Sequence, residues 1–460
     1  MELNLPVFGL YIFFSVILVL LFPKNHRWIA LLITSLIFYY FLFDYKIWIL
    51  IFLSLIIYQF GFLVRSNRLH IRWAVLLLVG TLFVSKLVTT GLHFDNFKSD
   101  NILDLNSFSW TSLIQVIGLS YFTFNGLSYL IDIKRKYLEP IPNYFLLLLY
   151  LVYFPAVFSG PLHRAKYLIE QFENIQVNDS SVSRGLRLIL WGTFKSLVLS
   201  KRLFIIVKNL MAADIHGFYY LTVGFFFFLF LYCSFSAFVD FSQGVSELFN
   251  IKLKDNFRNR VYFSSSRQEF WKGWHITLNE WFRDYFFFII AKKDKTRRYT
   301  DLILFITFLL IGLWHDLTIP FIIWGALSGI WIITEKKVDL QKLPFPNLRK
   351  YSGIVYHLFF ASLMALVFIS HDISQLVSTL FLKSNIPPIF FDKLFIHKLI
   401  IIAFAFIVMD YHYYKAKNKR FDHYLGEKPL FIRHSVYIQL IFMIFILGIQ
   451  SDINNYYIQF

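Results

Sequence analysis

Apolar residues run along this chain in long blocks separated by short connectors rich in Lys and Arg. A helix needs roughly 20 mostly apolar residues to cross about 30 Å of hydrocarbon. Blocks near 5–22, 28–43, 47–64, 73–91, 111–131, 144–160, 186–208, 217–239, 302–315, 319–334, 353–370, 398–412 and 435–449 approach that length. The stretches 302–315 and 319–334 are short, which suits re-entrant helices or helices buried in protein. The pattern predicts an all-α polytopic membrane protein of about 11 spanning helices, with re-entrant and interfacial helices beside them. No internal repeat and no soluble appendage breaks it, so residues 1–460 read as a single membrane-embedded domain. The first block reads as a retained span, because Glu2 stands where a signal peptide carries basic charge and no small-residue cleavage site follows.

Residues 250–300 depart from this pattern. They are rich in Lys and Arg and carry only short apolar patches. Trp271, His275, Leu278, Phe282 and Tyr285 recur there at helical spacing, with Lys272, Asn279 and Arg283 elsewhere on the wheel. The spacing predicts one amphipathic helix at the interface or packed in a funnel. The run 292–298 reads as a solvated turn.

Composition agrees with the pattern and narrows it. Hydrophobic residues make up 57% of the chain and charged residues 16%, against roughly 45–50% and about 25% in soluble proteins. Soluble, disordered and fibrous classes are excluded. The net charge of +17 comes from 45 Lys and Arg against 28 Asp and Glu. In a membrane protein such charge collects in cytoplasmic loops and meets anionic lipid, so no nucleic-acid partner is expected. Basic groups follow the first, third and fifth blocks, at Lys24 and Arg27, at Arg65, Arg68 and Arg72, and at Lys134, Arg135 and Lys136. The loop 92–110 holds Asp95, Asp100 and Asp104 against Lys98, and the tail 451–460 has no Lys or Arg. This alternation predicts a multi-pass protein of the cytoplasmic (inner) membrane with both termini outside. The lone Cys233 allows neither an intrachain disulfide nor a cysteine cage, and the scattered histidines suggest no metal site.

Ionisable residues at membrane depth are costly and face a cavity or a partner. Asp132, Asp240, Glu247, His315, Asp316 and Asp410 are in such positions. Structural pairing is the simpler reading for Asp132, Asp240 and Asp410, and an ion pair for Arg283 with Asp284. His315 stands at the end of an apolar run in Gly312-Leu313-Trp314-His315. A neutral imidazole there suits general acid–base work near pH 7.

Four segments together resemble the membrane-bound O-acyltransferase superfamily, especially its bacterial alginate O-acetyltransferase-like branch. They are Gly118–Asn125 continuing to Asp132; Tyr153–Arg164, with Phe154-Pro155 and Gly160-Pro161; Asp240-Phe241-Ser242 through Asn256-Phe257 to Phe270–Tyr285; and Gly312–His315 with Trp324-Gly325. Their order and spacing match over roughly 110–335. The resemblance implies helices arranged as a funnel around a thin membrane region. It implies acyl transfer from a cytoplasmic thioester to a hydroxyl, with His315 catalytic and His275 its partner, forty residues away in sequence. It implies no bound cofactor; acyl-CoA (acetyl-CoA) or an acyl-carrier protein supplies the thioester as co-substrate. Trp274, Trp314 and Trp271 would wall the channel. Asn279, Arg283, Arg164 and Asp316 join the candidate substrate-binding residues.

The expected partners are the lipid bilayer, a polysaccharide or lipid-linked acceptor, and a separate extracytoplasmic acyltransferase or esterase-like protein. Asp316 replaces the family's usual glycine, Ser328 a second histidine, and Lys272-Gly273 an Arg-Arg pair. Acetyl transfer to polysaccharide is the leading expectation. D-alanyl transfer to teichoic acid from a carrier-protein thioester, the activity of a related branch, stays open, and a transporter or flippase is a remote alternative.

Overall fold

The computed structural model describes residues 5–96, 118–157, 160–293, 297–337, 346–383 and 386–449. Most of the acidic loop 92–110, the start of the block 111–131, residues 294–296 of the basic turn and the tail 451–460 lie outside the described residues. The described residues are almost wholly helical, and their one strand-like feature is an isolated bridge between Phe257 and Trp274. They fall into two compact units, one of residues up to Gly185 with Ser242–Lys254, the other of Leu186–Phe241 with Asp255 onward.

The first unit opens with four long helices, α1 (Leu5–Leu21), α2 (Arg27–Phe43), α3 (Ile47–Arg65) and α4 (Ile71–Asn96). In α3 the residues Ile47, Leu50, Leu53, Ser54, Ile57, Gly61 and Val64 are buried and share one helical face, with Leu53 and Ser54 adjacent and the others spaced by three or four. Trp48, Phe52 and Phe62 on the other face are exposed, as expected where lipid takes the place of water. α5 (Leu119–Lys134) is buried along most of its length. α6 (Tyr144–Leu151) stops short of Pro155, a short 3₁₀ turn follows at Phe154–Ala156, and the chain is extended before α7 (Ala165–Phe172). Proline at 155 and at 161 accounts for this break.

A buried histidine locks this unit. His163 Nε2 accepts the Lys254 backbone N–H at 2.9 Å, and the His163 carbonyl accepts the Tyr150 hydroxyl at 2.8 Å. An accepting Nε2 requires the neutral ring. Burial pulls the His163 pKa down to about 3. The unfolded chain therefore binds a proton below about pH 6.5 that the folded unit refuses, so stability falls as pH drops toward 3. At pH 5 the expected loss is about 2 kcal/mol. Thermal unfolding at pH 7 and pH 5 checks this, and His163→Gln, which keeps an acceptor but does not titrate, should flatten the difference.

In the second unit, α8 (Asp179–Phe194, which enters from the first) continues through a π-helical turn, Lys195–Ser200, into α9 (Lys201–Ala212) and then α10 (Leu221–Leu248). The structural reading of the buried carboxylates holds for Asp240 and Asp410. Lys195 pairs with Asp240 at 2.6 Å and also donates to Ser236 and Tyr413 at 2.9 and 3.1 Å. Arg260 grips Asp410 with two bonds of 2.7 and 3.1 Å, and the Tyr262 hydroxyl adds a third at 2.7 Å. In the first unit Glu247 pairs with Arg184 at 3.0 Å. Each carboxylate has a cationic partner, buried at Glu247 and part-buried at Asp240 and Asp410, so Asp240 and Asp410 are not vacant ion sites of the kind a transporter uses.

The connecting segment carries three short helices, α11 (Arg267–Gly273), α12 (Ile276–Phe282) and α13 (Phe288–Ala291). A helical hairpin follows, α14 (Thr300–His315) and α15 (Ile319–Lys337), then α16 (Pro346–Ile369), α17 (Ile373–Phe381), α18 (Lys393–Ala416), α19 (Phe421–Gly426) and α20 (Leu430–Leu447). The hairpin closes through glycine: a Cβ on Gly312 would sit 2.3 Å from the Phe321 carbonyl oxygen, and one on Gly325 2.7 Å from that of Phe308. Such contact lets two backbones approach in lipid.

Among the described residues six helices are long and apolar enough to cross a membrane, and three shorter apolar helices accompany them. This agrees with a polytopic protein but does not establish eleven spans. Pro155 cuts one expected block short, and the π turn with buried Lys195 interrupts another.

Candidate active site

The predicted amphipathic helix over 271–285 is not continuous. It is two helices, α11 and α12, broken at Trp274-His275. His275 adopts a left-handed backbone conformation with φ 46°, which costs a non-glycine residue roughly 1–2 kcal/mol. Tertiary pairing imposes the break. The Arg258 N–H donates to the Gly273 carbonyl at 2.9 Å, and the Ile276 N–H to that of Asn256 at 3.0 Å. The Asn256 side-chain oxygen accepts the Thr277 N–H at 3.0 Å and the Thr277 hydroxyl at 2.9 Å.

That same oxygen lies 3.4 Å from His275 Nδ1. A backbone N–H donates to it, so it is the amide oxygen and Nδ1 must carry the proton. Nε2 is left as the basic nitrogen. Burial pulls the His275 pKa down to about 3, so the ring is neutral throughout the physiological range. Asn279 braces the break from below, donating to the Trp271 and Trp274 carbonyls at 2.9 and 2.6 Å. Its amide nitrogen is thus committed to backbone.

His315 ends α14 at the tip of the hairpin, half-buried in aromatic rings. Its ring lies 4.6 Å from that of Trp314, 5.3 Å from Phe368, 5.4 Å from Trp324 and 5.9 Å from Phe321. Trp314 also lies 6.2 Å from the His275 ring. One indole therefore stands against both histidines, and the fold brings together residues forty apart. Trp274 packs behind His275 among Phe270, Phe257 and Phe228, with centroids 5.2, 5.2 and 6.0 Å away. Trp271 continues the wall toward Trp324 at 6.1 Å.

The other candidates have different surroundings. One Asp316 carboxylate oxygen accepts the Leu317 N–H at 2.8 Å, closing the hairpin tip. Ser328 is buried, with its hydroxyl 3.8 Å from the Met364 sulfur. Arg283 is half-exposed and pairs with Asp284 at 2.9 Å, the expected ion pair. Arg164 precedes α7 in the first unit. Among the described residues no group of three or more His, Cys, Asp or Glu could hold a metal ion.

Sequence reasoning assigned no role to Asn256, Phe321 or Phe368. Asn256 was legible as part of the Asn256-Phe257 segment, but its grip on His275 spans nineteen residues. Phe368 has no local sequence signal.

Comparison with known proteins agrees with the family resemblance. Residues 18–370 match the model of the membrane-bound O-acyltransferase family. The chain is 29% identical over 362 residues to a probable alginate O-acetylase AlgI of Pseudomonas syringae pv. tomato, covering 74% of this chain and 66% of that protein. It is 28% identical over 285 residues to a teichoic acid D-alanyltransferase of Bacillus subtilis, covering 56% of this chain and 71% of that protein. It is 27% identical over 341 residues to a peptidoglycan O-acetyltransferase of Helicobacter pylori, covering 66% and 60%. The matches span 66%, 48% and 53% of the lengths of three alginate O-acetylases, about half to just under two thirds. The chain belongs to the membrane-bound O-acyltransferase family.

Proposed function

We propose that this protein is a membrane O-acyltransferase that moves an acyl group, most simply acetyl, from a cytoplasmic thioester to a hydroxyl on an extracytoplasmic polysaccharide. The observation that carries the reading is the pair of histidines against one indole, at the tip of a tight helical hairpin. The relatives named as O-acetylases of alginate and peptidoglycan support the polysaccharide acceptor.

In the proposed reaction the acceptor oxygen attacks the thioester carbonyl while the His315 imidazole takes its proton. The carbon–sulfur bond breaks, and the departing thiolate recovers the proton from the imidazolium. No net charge or proton is left on the enzyme. The attacking hydroxyl gives its one proton to His315, so the accepting Nε2 of His275 suits orienting a neighbouring hydroxyl of the acceptor rather than donating to an oxyanion. The aromatic wall excludes water that would hydrolyse the thioester. The proposed site lies in the inner membrane, with the basic loops cytoplasmic and both termini outside. The donor is acyl-CoA or an acyl-carrier protein, and a separate extracytoplasmic esterase-like protein receives or completes the transfer.

Mass spectrometry of surface polysaccharide tests this in cells with the intact protein, with His315→Ala and with none. Loss of one acyl ester in both deficient strains is the expected result, and its mass separates acetyl from D-alanyl. Polysaccharide unchanged in all three would overturn the acceptor assignment.

A further inference from the structure

Glu335 lies in the last turn of α15, the second arm of the hairpin. Residues 324, 331 and 335 of that helix are seven and four apart, so they form one stripe along it. On α11 the facing residues are Arg267 and Trp271, four apart. The contacts between the two stripes form a ladder. On the rung farthest from the hairpin tip, Glu335 Oε1 accepts the Arg267 backbone N–H at 3.0 Å. Its Oε2 accepts that same N–H at 2.9 Å and the Gln268 N–H at 3.3 Å. Next the Arg267 guanidinium carbon lies 4.2 Å from the Trp331 ring centroid. Then Trp271 lies 6.1 Å from Trp324 and 5.1 Å from Phe308 of α14. Trp324 in turn is 5.4 Å from His315. Where α11 ends the chain turns at His275, 6.2 Å from Trp314.

The rungs differ in kind. Aromatic pairs are favourable over centroid separations of roughly 4.5–7 Å, so they hold two helices together without fixing how far one has slid along the other. Hydrogen bonds to a carboxylate are directional and short-ranged. Glu335 takes the first two N–H groups of α11, which no turn of their own helix can reach, and the Ser266 hydroxyl takes the third at 3.1 Å. The Asn256 clasp holds the His275 break to the segment before it, not to the hairpin. Among these contacts the Glu335 rung is therefore the one that sets the register of α11 on α15. A helix advances 1.5 Å per residue. A slip of one residue would carry the end of α11, and His275 with it, about that far along the hairpin, and a misplacement of about 1 Å can cost about 10²-fold in rate.

We propose that Glu335 is a positioning residue for acyl transfer. By tying the start of α11 to the end of α15 it keeps His275 in register with Trp314 and His315, although it stands twenty residues beyond His315 in sequence. The proposal rests on the acyl-transfer reading above.

Two conservative variants separate reach from charge. Glu335→Gln loses the charge and keeps the reach. Because Oε2 already accepts both N–H groups, one amide oxygen can retain both bonds. Glu335→Asp keeps the charge and shortens the reach by one methylene, about 1.5 Å. The two are compared with wild type in lipid nanodiscs, at a temperature where thermal unfolding shows each to be folded. The kcat of Glu335→Asp should fall about tenfold or more and that of Glu335→Gln by less than about threefold, with KM for the thioester donor unchanged in both. If Glu335 served only to balance the neighbouring Arg267 charge, the order would reverse, and that order would overturn the proposal. Equal kcat in all three proteins would also defeat it, as would a raised KM with kcat intact, which places Glu335 in substrate binding. Hydrogen exchange gives a readout independent of activity. Amides within 267–277 should exchange faster in Glu335→Asp than in wild type, while Glu335→Gln matches wild type. Unchanged protection in Glu335→Asp would show that α11 is held without this tie. If the exchange pattern is as expected but wild type transfers no acyl group, the acyl-transfer reading fails and the tie itself stands.

Discussion

Replacing His315 with alanine is expected to lower acyl transfer by about 10²–10⁴-fold, the range for removing a positioned general base. The fold should survive. His315 is half-buried at a hairpin tip, and the close contacts that join α14 to α15 run through Gly312 and Gly325 rather than through its ring. The thermal midpoint should therefore move little, since large losses come from fully buried groups. The reason for the large kinetic effect is local. Trp314, Trp324, Phe321 and Phe368 surround the imidazole, and none of these rings accepts a proton at neutral pH. Thiol release from the donor, measured in single turnover on wild type and variant, gives the ratio. Added imidazole should restore part of the rate, because the alanine leaves a ring-sized space. A variant within about threefold of wild type, far short of a lost general base, would remove His315 from the chemistry.

The sequence made much of this legible, for definite reasons. Spanning helices appear as apolar blocks because lipid forces every backbone group to be satisfied within the helix. The exposed face of α3 and the buried face opposite it follow from 3.6-residue periodicity. His315 stood out as an imidazole ending an apolar run, and it lies where that run ends. The break at His275 did not stand out. Trp271, His275, Leu278, Phe282 and Tyr285 keep helical spacing straight through it. The force that opens the helix is a long-range pairing with Asn256 and Phe257, which no local window contains. For the same reason the commitment of Asn279 to backbone carbonyls was invisible. The partners of Asp240 and Asp410, Lys195 and Arg260, are 45 and 150 residues away.

Removing the His275 ring should separate its chemistry from its backbone strain. His275→Ala and His275→Gly both delete the imidazole, and both are expected to lower transfer by about 10²-fold or more, as for loss of an oriented acid–base group. Their stabilities should differ. Alanine must still adopt φ 46°, because the Asn256 clasp on Ile276 and Thr277 remains. Glycine adopts that conformation without the Cβ clash. The glycine variant should therefore be more stable than the alanine variant by about 1 kcal/mol, the usual cost of a left-handed non-glycine residue less glycine's larger unfolded-state entropy. Thermal unfolding of both proteins in the same detergent reads the difference. Ring contacts with Phe235 at 4.7 Å and Trp314 at 6.2 Å are lost equally in the two variants, so they cancel in the comparison. If the alanine variant is the more stable, the helix break has closed and the Asn256 pairing does not impose it. If the glycine variant is the more stable and still transfers acyl groups at the wild-type rate, the strained geometry is structural and His275 has no part in the reaction. The combination of restored stability and lost transfer identifies strain held in place for the sake of the ring.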